Sequence, residues 1–221
     1  MTKSWLTAIP AICALAGILQ ACGARPGTPM LPLPKTGEHA SVVSASSLTV
    51  TNEYDIPSPN SLPWDMAAGP DGAVWFAERS AGRLGRITTA GGITEISIAG
   101  PARFQFGVAS GSDGNLWSTG ISLQNQTSQE AGVQSPNNAV FRTTTRSATT
   151  AFPLPHDSFP KQIVSGPDGS LWFVERYGKV GRMSTSGQLT EFAIPGGGGP
   201  SGITVGPDGA LWFTAAIGLL E

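Results

Sequence analysis

A ten-residue segment that recurs four times constrains the fold of this chain more than any other feature. Its copies read GPDGAVWFAE, GSDGNLWSTG, GPDGSLWFVE and GPDGALWFTA, and they begin at Gly69, Gly111, Gly166 and Gly206. Successive tryptophans of the copies are 42, 55 and 40 residues apart, at Trp75, Trp117, Trp172 and Trp212. A repeat near 40 residues is the period of a propeller blade, so the sequence predicts a repeat protein of that architecture.

Each copy predicts a β-hairpin corner followed by a buried strand. Pro suits the second position of a type I turn, and the glycine after Asp can take the positive φ that closes a bulged hairpin. The run of Leu or Val, Trp and Phe that follows predicts a strand covered on both faces, as stacked blades provide. One aspartate per turn is too few for a Ca²⁺ site, so these aspartates are interpreted as turn formers. The tryptophans are interpreted as inter-blade core.

The predicted fold class is all-β, a propeller of four-stranded blades. Four strands, lettered A to D from the axis outward, can be drawn in each unit, and Leu48–Ile56 resembles a D strand that has no A, B or C before it. About three and a half blades are present, which predicts a partial, open propeller and a chain that looks truncated at its C-terminus. Because an open end leaves strand edges and an aromatic face uncovered, residues 48–221 are expected to self-associate.

The N-terminal residues predict export. Residues 1–21 have Lys3 and then an apolar run from Trp5 to Leu19, which is short for a membrane span and typical of a signal peptide. The run ends in Leu-Gln-Ala-Cys, which resembles a lipoprotein signal with Cys22 as the lipidated residue. The expected location is therefore the cell envelope, through a lipid anchor. The alternative is cleavage near Ala24, which would give a periplasmic or secreted protein.

Composition separates a tether from a folded domain. Residues 22–47 are rich in Pro, Gly, Ser and Ala without periodicity and are predicted to be a disordered tether, and residues 48–221 are predicted to be the partial propeller. The formal net charge is −2 and no basic cluster is present, so a nucleic-acid partner is not expected. The only membrane association expected is through the lipid anchor.

Shared motifs make the chain resemble the virginiamycin B lyase, or streptogramin lyase, family. The motifs are GPDGxLWFxE, GRI-like segments such as Gly82 to Thr88, TEF or TEI (Thr94 to Ile96, Thr190 to Phe192) and a PxGI start at Pro200 to Ile203. The resemblance implies a seven-bladed propeller. It also implies a C–O lyase that opens the ester of cyclic depsipeptides by elimination, with Mg²⁺ as cofactor. No metal site or other cofactor is evident from the residues themselves.

The resemblance implies that active groups, notably histidines, lie at the start of strand A. The matched positions are Trp64, Phe106, Lys161 and Ser201, and none is histidine. These four residues, together with Arg103 and with His156 in the link from strand D to strand A, are the candidate ligand-binding residues. No catalytic residue is assigned from the sequence, and His156 is more readily explained as a solvated turn residue.

Two function hypotheses follow from these residues. The first is a lyase of this family, and the second is an exported, non-catalytic propeller that binds a peptide, glycan or cell-wall ligand on the face that carries the links from strand D to strand A. A lactonase of the gluconolactonase type is a weaker third. An insertion of about 14 residues within Ile121 to Asn138 is expected on that face. Ion pairs from Glu78 to Arg86 and from Glu175 to Arg182 are predicted to tie strand B to strand C.

Overall fold

The computed structural model describes residues 39–43, 50–98, 104–121, 138–155 and 158–216. Within these ranges the chain forms sixteen β-strands joined by turns and contains no helix. The described residues accordingly include no helix that is long and apolar enough to cross a membrane. The predicted signal peptide, its Cys22, Arg103, His156 and most of the unit-two insertion lie outside the described residues.

The strands form a hairpin, three four-stranded sheets and a two-stranded sheet, all antiparallel. The hairpin pairs β1 (His39–Val43) with β2 (Val50–Asp55). Blade 1 contains β3 (Pro63–Ala68), β4 (Val74–Glu78), β5 (Arg83–Ile87) and β6 (Ile93–Ser97). Blade 2 contains β7 (Phe104–Ser110), β8 (Leu116–Ile121), β9 (Asn138–Thr143) and β10 (Thr149–Pro153). Blade 3 contains β11 (Pro160–Ser165), β12 (Leu171–Glu175), β13 (Lys179–Met183) and β14 (Leu189–Ala193). Blade 4 contains β15 (Gly199–Val205) and β16 (Leu211–Ala216).

This architecture confirms the predicted fold class. In each complete blade the four strands pair in chain order, so they correspond to strands A, B, C and D. Blade 4 has strands A and B within the described residues. The sheets therefore form about three and a half blades that do not close into a ring, as the sequence predicted.

The recurring motif builds the turn between strands A and B, and blade 3 shows how. A side chain on Gly166 would collide with the Trp172 ring, because an added Cβ would lie 2.3 Å from its Cδ1 atom. Asp168 Oδ1 accepts hydrogen bonds from the Ser170 N–H at 3.1 Å and from Trp172 Nε1 at 3.0 Å. Gly169 has φ +77°, which favours glycine. The motif therefore seats the indole over the turn, and the other three copies repeat this arrangement.

The motif tryptophans pack each blade against the next, as predicted. Trp75 is fully buried in a cluster that contains Val108 and Leu116 of blade 2. Trp117 is fully buried with Ile163 and Leu171 of blade 3. The corresponding partners of Trp172 are Ile203 and Leu211 in blade 4. Burial of such apolar surface is the main favourable term in folding, so the tryptophans are the principal inter-blade contacts.

The predicted ion pairs of Glu78 and Glu175 are wrong. Arg86 Nε donates to Asp71 Oδ2 at 2.6 Å, and Arg182 Nε donates to Asp168 Oδ2 at the same distance. The register explains the difference, because Arg86 lies opposite Trp75, near the A–B turn, whereas Glu78 lies at the far end of β4 opposite Arg83. The strand-C arginines therefore bind the turn aspartates.

The structure also differs from the sequence prediction at residues 39–43. These residues form β1 inside the segment for which composition predicted an irregular tether. Their backbone groups pair with β2, which would otherwise expose an unpaired strand edge. The other residues of the 22–47 segment lie outside the described residues.

The segment before blade 1 packs like a D strand. An added Cβ on Gly91 would lie 2.1 Å from the Tyr54 ring, and one on Gly187 would lie 2.3 Å from the Phe152 ring of β10. Tyr54 of β2 therefore contacts blade 1 in the same way as Phe152 of strand D contacts blade 3. This contact agrees with the interpretation of Leu48–Ile56 as a D strand.

Candidate functional site

A β-bulge interrupts strand A of every blade at the same place. In blade 1, Pro63 lies opposite Glu78 and the next paired residue is Met66 opposite Phe76, so residues 64 and 65 together face a single residue. The same irregularity occurs between Gln105 and Val108, between Pro160 and Ile163, and between Pro200 and Ile203. Bulges re-aim side chains and are frequent next to binding sites. The predicted contacts Trp64, Phe106, Lys161 and Ser201 are each the first residue of a bulge.

The structure brings these four predicted contacts together around one cleft. The cleft has a volume of about 510 Å³, and Asp65, Arg79, Gln162 and Gly202 complete its lining. The A strands of all four blades, β3, β7, β11 and β15, therefore contribute residues to the lining of this cleft. Trp64 is 62% exposed and Ser201 is exposed, so both side chains are accessible. Arg103 and His156 lie outside the described residues.

A second cleft of about 460 Å³ adjoins the first and shares Arg79, Phe106 and Lys161 with it. Its other lining residues are Phe104, Ile121, Phe159, Pro160 and Arg176. Ile121, the last residue of β8, pairs with Asn138 and is the described residue that directly precedes the insertion of unit two in the sequence. The residues that line the two clefts together form one surface, the axial face.

Arg79 is the central cation of the axial face. Its Cζ lies 4.7 Å from the centroid of the Trp64 ring and 5.1 Å from that of the Phe106 ring. Its backbone is held at both ends, because its N–H donates to Leu62 O at 3.0 Å and its carbonyl accepts from the Gln105 N–H at 3.3 Å. Contacts of a guanidinium with aromatic rings are each worth about 0.5–2 kcal/mol. Arg79 therefore links blade 1 to blade 2 at the mouth of both clefts.

Sequence reasoning missed Arg79 and its counterpart in blade 3, Arg176. Each follows directly after a strand B that ends in glutamate, and the Arg176 N–H donates to Phe159 O just as the Arg79 N–H donates to Leu62 O. A signal was present in the paired segments WFAER and WFVER. Only the glutamates of these segments entered the sequence interpretation.

Hydrogen bonds between neighbouring A strands form the floor of the axial face. Asp65 Oδ2 accepts from the Val108 N–H at 3.2 Å, and Gln162 Oε1 accepts from the Ile203 N–H at 2.9 Å. Lys161 Nζ donates to Pro200 O at 3.2 Å. Burial raises the pKa of Asp65, although the backbone N–H groups of Val108 and Met66 act to lower it. These bonds fix the bulge residues of one blade relative to the next.

The described residues of the axial face do not fit Mg²⁺. Asp65 supplies the single carboxylate of the cleft linings, and its two oxygens already accept backbone hydrogen bonds from Met66 and Val108. Arg79 and Lys161 line the same cleft and would repel a divalent cation. In the described part of the chain no group of three His, Cys, Asp or Glu side chains could hold a metal. The Mg²⁺ that the resemblance implies is therefore given no role on this face.

Comparison with protein families identifies the relatives of this chain. The family model described as the virginiamycin B lyase family matches residues 38–129 and 132–218, which is most of the chain. The chain belongs to the virginiamycin B lyase family. The expected resemblance is thereby confirmed over all four repeats.

Solved structures agree with this membership. Virginiamycin B lyase from Staphylococcus aureus, in a selenomethionine-substituted form, is 36% identical over 80% of this chain and 56% of its own, with a TM-score of 0.67. A catalytically inactive histidine-to-alanine variant of the S. aureus enzyme with quinupristin is 33% identical over 81% of this chain and 57% of its own, with a TM-score of 0.70. A streptogramin B lyase is 28% identical over 80% of this chain and 55% of its own, with a TM-score of 0.68. The chain thus spans little more than half the length of these lyases.

Proposed function

We propose that this member of the virginiamycin B lyase family binds a small peptide-like ligand on its axial face. The observation that carries the proposal is the convergence of four bulge residues, Trp64, Phe106, Lys161 and Ser201, on one cleft. Its volume of about 510 Å³ falls within the range of about 300–1,000 Å³ that is typical of small-molecule sites. Aromatic walls with a few polar groups are the usual composition of such sites.

A second candidate is the C–O lyase reaction, which family membership favours. In that reaction a base removes a proton from the carbon next to the one that bears the ester oxygen, and a carbon–carbon double bond forms. The C–O bond breaks as that double bond forms, its electron pair stays on the carboxylate oxygen, and the carboxylate remains part of the same opened molecule. No water is added, so the linear product has the same mass as the cyclic substrate. We assign no described residue as the base.

One experiment tests both candidates with quinupristin as the probe. The purified chain is titrated with quinupristin while the intrinsic tryptophan fluorescence is recorded, and the mixture is then separated by liquid chromatography with mass detection. Binding without conversion supports the ligand-binding proposal. A new peak of unchanged mass supports elimination, whereas a peak heavier by one water indicates hydrolysis. Absence of binding contradicts the proposal that the ligand is a depsipeptide of this kind.

Export is part of the same proposal. The N-terminal residues favour a lipoprotein anchored through Cys22 in the cell envelope, with a periplasmic or secreted protein as the alternative. Metabolic labelling with a radioactive fatty acid distinguishes these fates. Incorporation that disappears in the Cys22→Ser variant supports the anchor, and an unlabelled protein in the soluble fraction supports the alternative.

A further inference from the structure

Seven of the nine basic side chains of the described residues fall into two groups, and Arg142 and Arg146 of blade 2 belong to neither. On strands C, outside the cleft linings, four of them pair with carboxylates: Arg83 with Glu95, Arg86 with Asp71, Lys179 with Glu191 and Arg182 with Asp168. On the axial face, no ion pair among the described residues involves Arg79, Lys161 or Arg176. The chain has a formal net charge of −2, yet this face concentrates cations without matching carboxylates.

The linings of the two clefts include one carboxylate among the described residues. Asp65 is the single carboxylate of the described linings, and its oxygens accept the N–H groups of Met66 and Val108. Glu78 and Glu175 are fully buried at the ends of β4 and β12, and neither of them lines a cleft. The described surface that a ligand would meet therefore carries three positive groups and one negative group.

The surroundings of Arg79 suit it to an anion. The rings of Trp64 and Phe106 contact its guanidinium at 4.7 Å and 5.1 Å, which restricts the side chain to few conformations. A guanidinium presents N–H donors in a planar fork that matches the two oxygens of a carboxylate. Arg79 and Lys161 line both clefts, and Arg176 lines the second, so the cations surround one continuous surface.

We propose that the axial face binds a ligand that carries a free carboxylate next to an aromatic group, with Arg79, Lys161 and Arg176 as its anion-binding residues. The aromatic group would contact Trp64, Phe106 or Phe159. This inference rests on the proposed function, because it names the chemical class of the peptide-like ligand. A linear peptide with a C-terminal aromatic residue has this chemistry. So does a ring-opened depsipeptide, because the elimination releases a carboxylate.

The test compares two probes that differ at one group, which is a carboxylate in the first and a neutral amide in the second. N-acetyl-L-phenylalanine and its amide are titrated into the full chain by isothermal titration calorimetry, at low and at raised sodium chloride. We expect the acid to bind at least about 10-fold more tightly than the amide, since a hydrogen bond to a charged group exceeds a neutral one by that order. Raised salt should weaken binding of the acid alone. Acetate, which lacks the ring, should bind more weakly than the acid.

Charge-removing variants identify the residues. The Arg79→Gln and Lys161→Gln variants should lose most of the preference for the acid over the amide. The matched control is Arg146→Gln, which removes one exposed positive charge from the turn between β9 and β10, away from both cleft linings, and should keep the full preference. Circular dichroism of each variant checks that it is folded. The double variant Arg79→Lys, Lys161→Arg should keep a reduced preference for the acid, because the charges remain but position 79 loses the planar guanidinium fork.

Two outcomes overturn the inference. One is that the wild-type chain binds the acid and the amide equally well, or binds neither of them. The other is a preference for the acid that survives unchanged in folded Arg79→Gln and Lys161→Gln variants. Quinupristin binding in a parallel titration separates this result from the proposed function. Quinupristin binding without a preference for the acid rejects the anion site alone, and a preference for the acid without quinupristin binding rejects the cyclic depsipeptide of the proposed function while the anion site stands.

Discussion

Arg182 in strand C of blade 3 donates its Nε–H to Asp168 Oδ2 in the A–B turn at 2.6 Å. The other carboxylate oxygen of Asp168 accepts the Trp172 indole at 3.0 Å. Burial acts to raise the pKa of Asp168, but the hydrogen bonds from Trp172, Arg182 and the Ser170 N–H outweigh it and lower the pKa well below its usual range. The Asp168 carboxylate thus connects the A–B turn to the inter-blade tryptophan and to strand C.

A stability that depends on pH follows from this lowered pKa. A carboxyl group whose pKa is lower in the folded state stabilises the fold above its unfolded pKa of about 4, and that stability is lost as the pH falls toward the folded pKa. The Asp168→Asn variant should unfold at a lower temperature than wild type at pH 7. The two melting temperatures should converge as the pH falls below about 4. Thermal unfolding followed by circular dichroism at several pH values measures this.

The matched control for this prediction is Asp208→Asn. Asp208 accepts the Trp212 indole at 3.1 Å, and no ion pair with an arginine involves it among the described residues. The Asp208→Asn variant should therefore change the melting temperature less than Asp168→Asn at pH 7. An equal loss in both variants would show that the indole bond, and not the ion pair, carries the effect.

Gly107 is predicted to be intolerant of a side chain. An added Cβ would lie 2.8 Å from the Lys161 carbonyl oxygen and 2.8 Å from the Ile163 backbone nitrogen in the neighbouring A strand. Because backbone cannot move aside as a flexible side chain can, Gly107→Ala should cost about 1–3 kcal/mol of unfolding free energy, the usual range for overpacking. Denaturant unfolding measures the loss. Gly202→Ala is the control, because its Cβ would meet the Gln162 Oε1 atom at 3.3 Å, and it should cost less.

Trp64 and Trp75 are predicted to separate binding from stability. Trp64 is 62% exposed in the cleft and contacts the Arg79 guanidinium, so Trp64→Ala should weaken ligand binding and cost at most about 2 kcal/mol of unfolding free energy. Trp75 is fully buried, so Trp75→Ala should cost about 3–5 kcal/mol. Calorimetric titration and denaturant unfolding of both variants check the two halves of the prediction. A stability loss in Trp64→Ala equal to that in Trp75→Ala would contradict a binding role for Trp64.

Self-association is predicted from two exposed faces that complement each other. Trp212 has the same place in blade 4 as the buried Trp75 has in blade 1, yet it is 59% exposed. Met66 and Val74 in blade 1 match the positions of Ile163 and Leu171, which receive Trp117, and they are 62% and 38% exposed. Residues 48–221 should therefore form dimers or larger species through these faces.

Light scattering with near-UV circular dichroism measures this association. The Trp212→Lys variant should shift the population toward the monomer, since a charge at the centre of an apolar interface is costly. The control is Tyr177→Lys, at an exposed position that belongs to neither face, and it should not change the mass. A folded wild-type monomer at high concentration would contradict the prediction.

The sequence predicted the repeated elements better than their side-chain partners. The motif copies marked the A–B turns, and Trp64, Phe106, Lys161 and Ser201 were chosen because they match the strand-A positions that the family resemblance implies for the active groups. The predicted partner of Arg86, Glu78, was wrong because proximity in sequence does not show toward which end of the strand a long side chain extends. Residues 39–43 were missed because their pairing with β2 is a tertiary choice that overrides local composition.

Bulges in the A strands have a consequence for how this scaffold can change. Within one strand, the residues after the bulge, such as Val108 and Ile163, hold neighbouring blades together, while the first bulge residue contributes little to that packing. Substitutions at positions 64, 106, 161 and 201 should therefore act nearly additively on folding and lower the melting temperature less than substitutions at the core positions after the bulge. A combinatorial library at these four positions would sample many binding surfaces on one unchanged frame. The four positions now carry two aromatic residues, one basic residue and one small residue. Such variety is possible because these positions contribute little to the packing between blades.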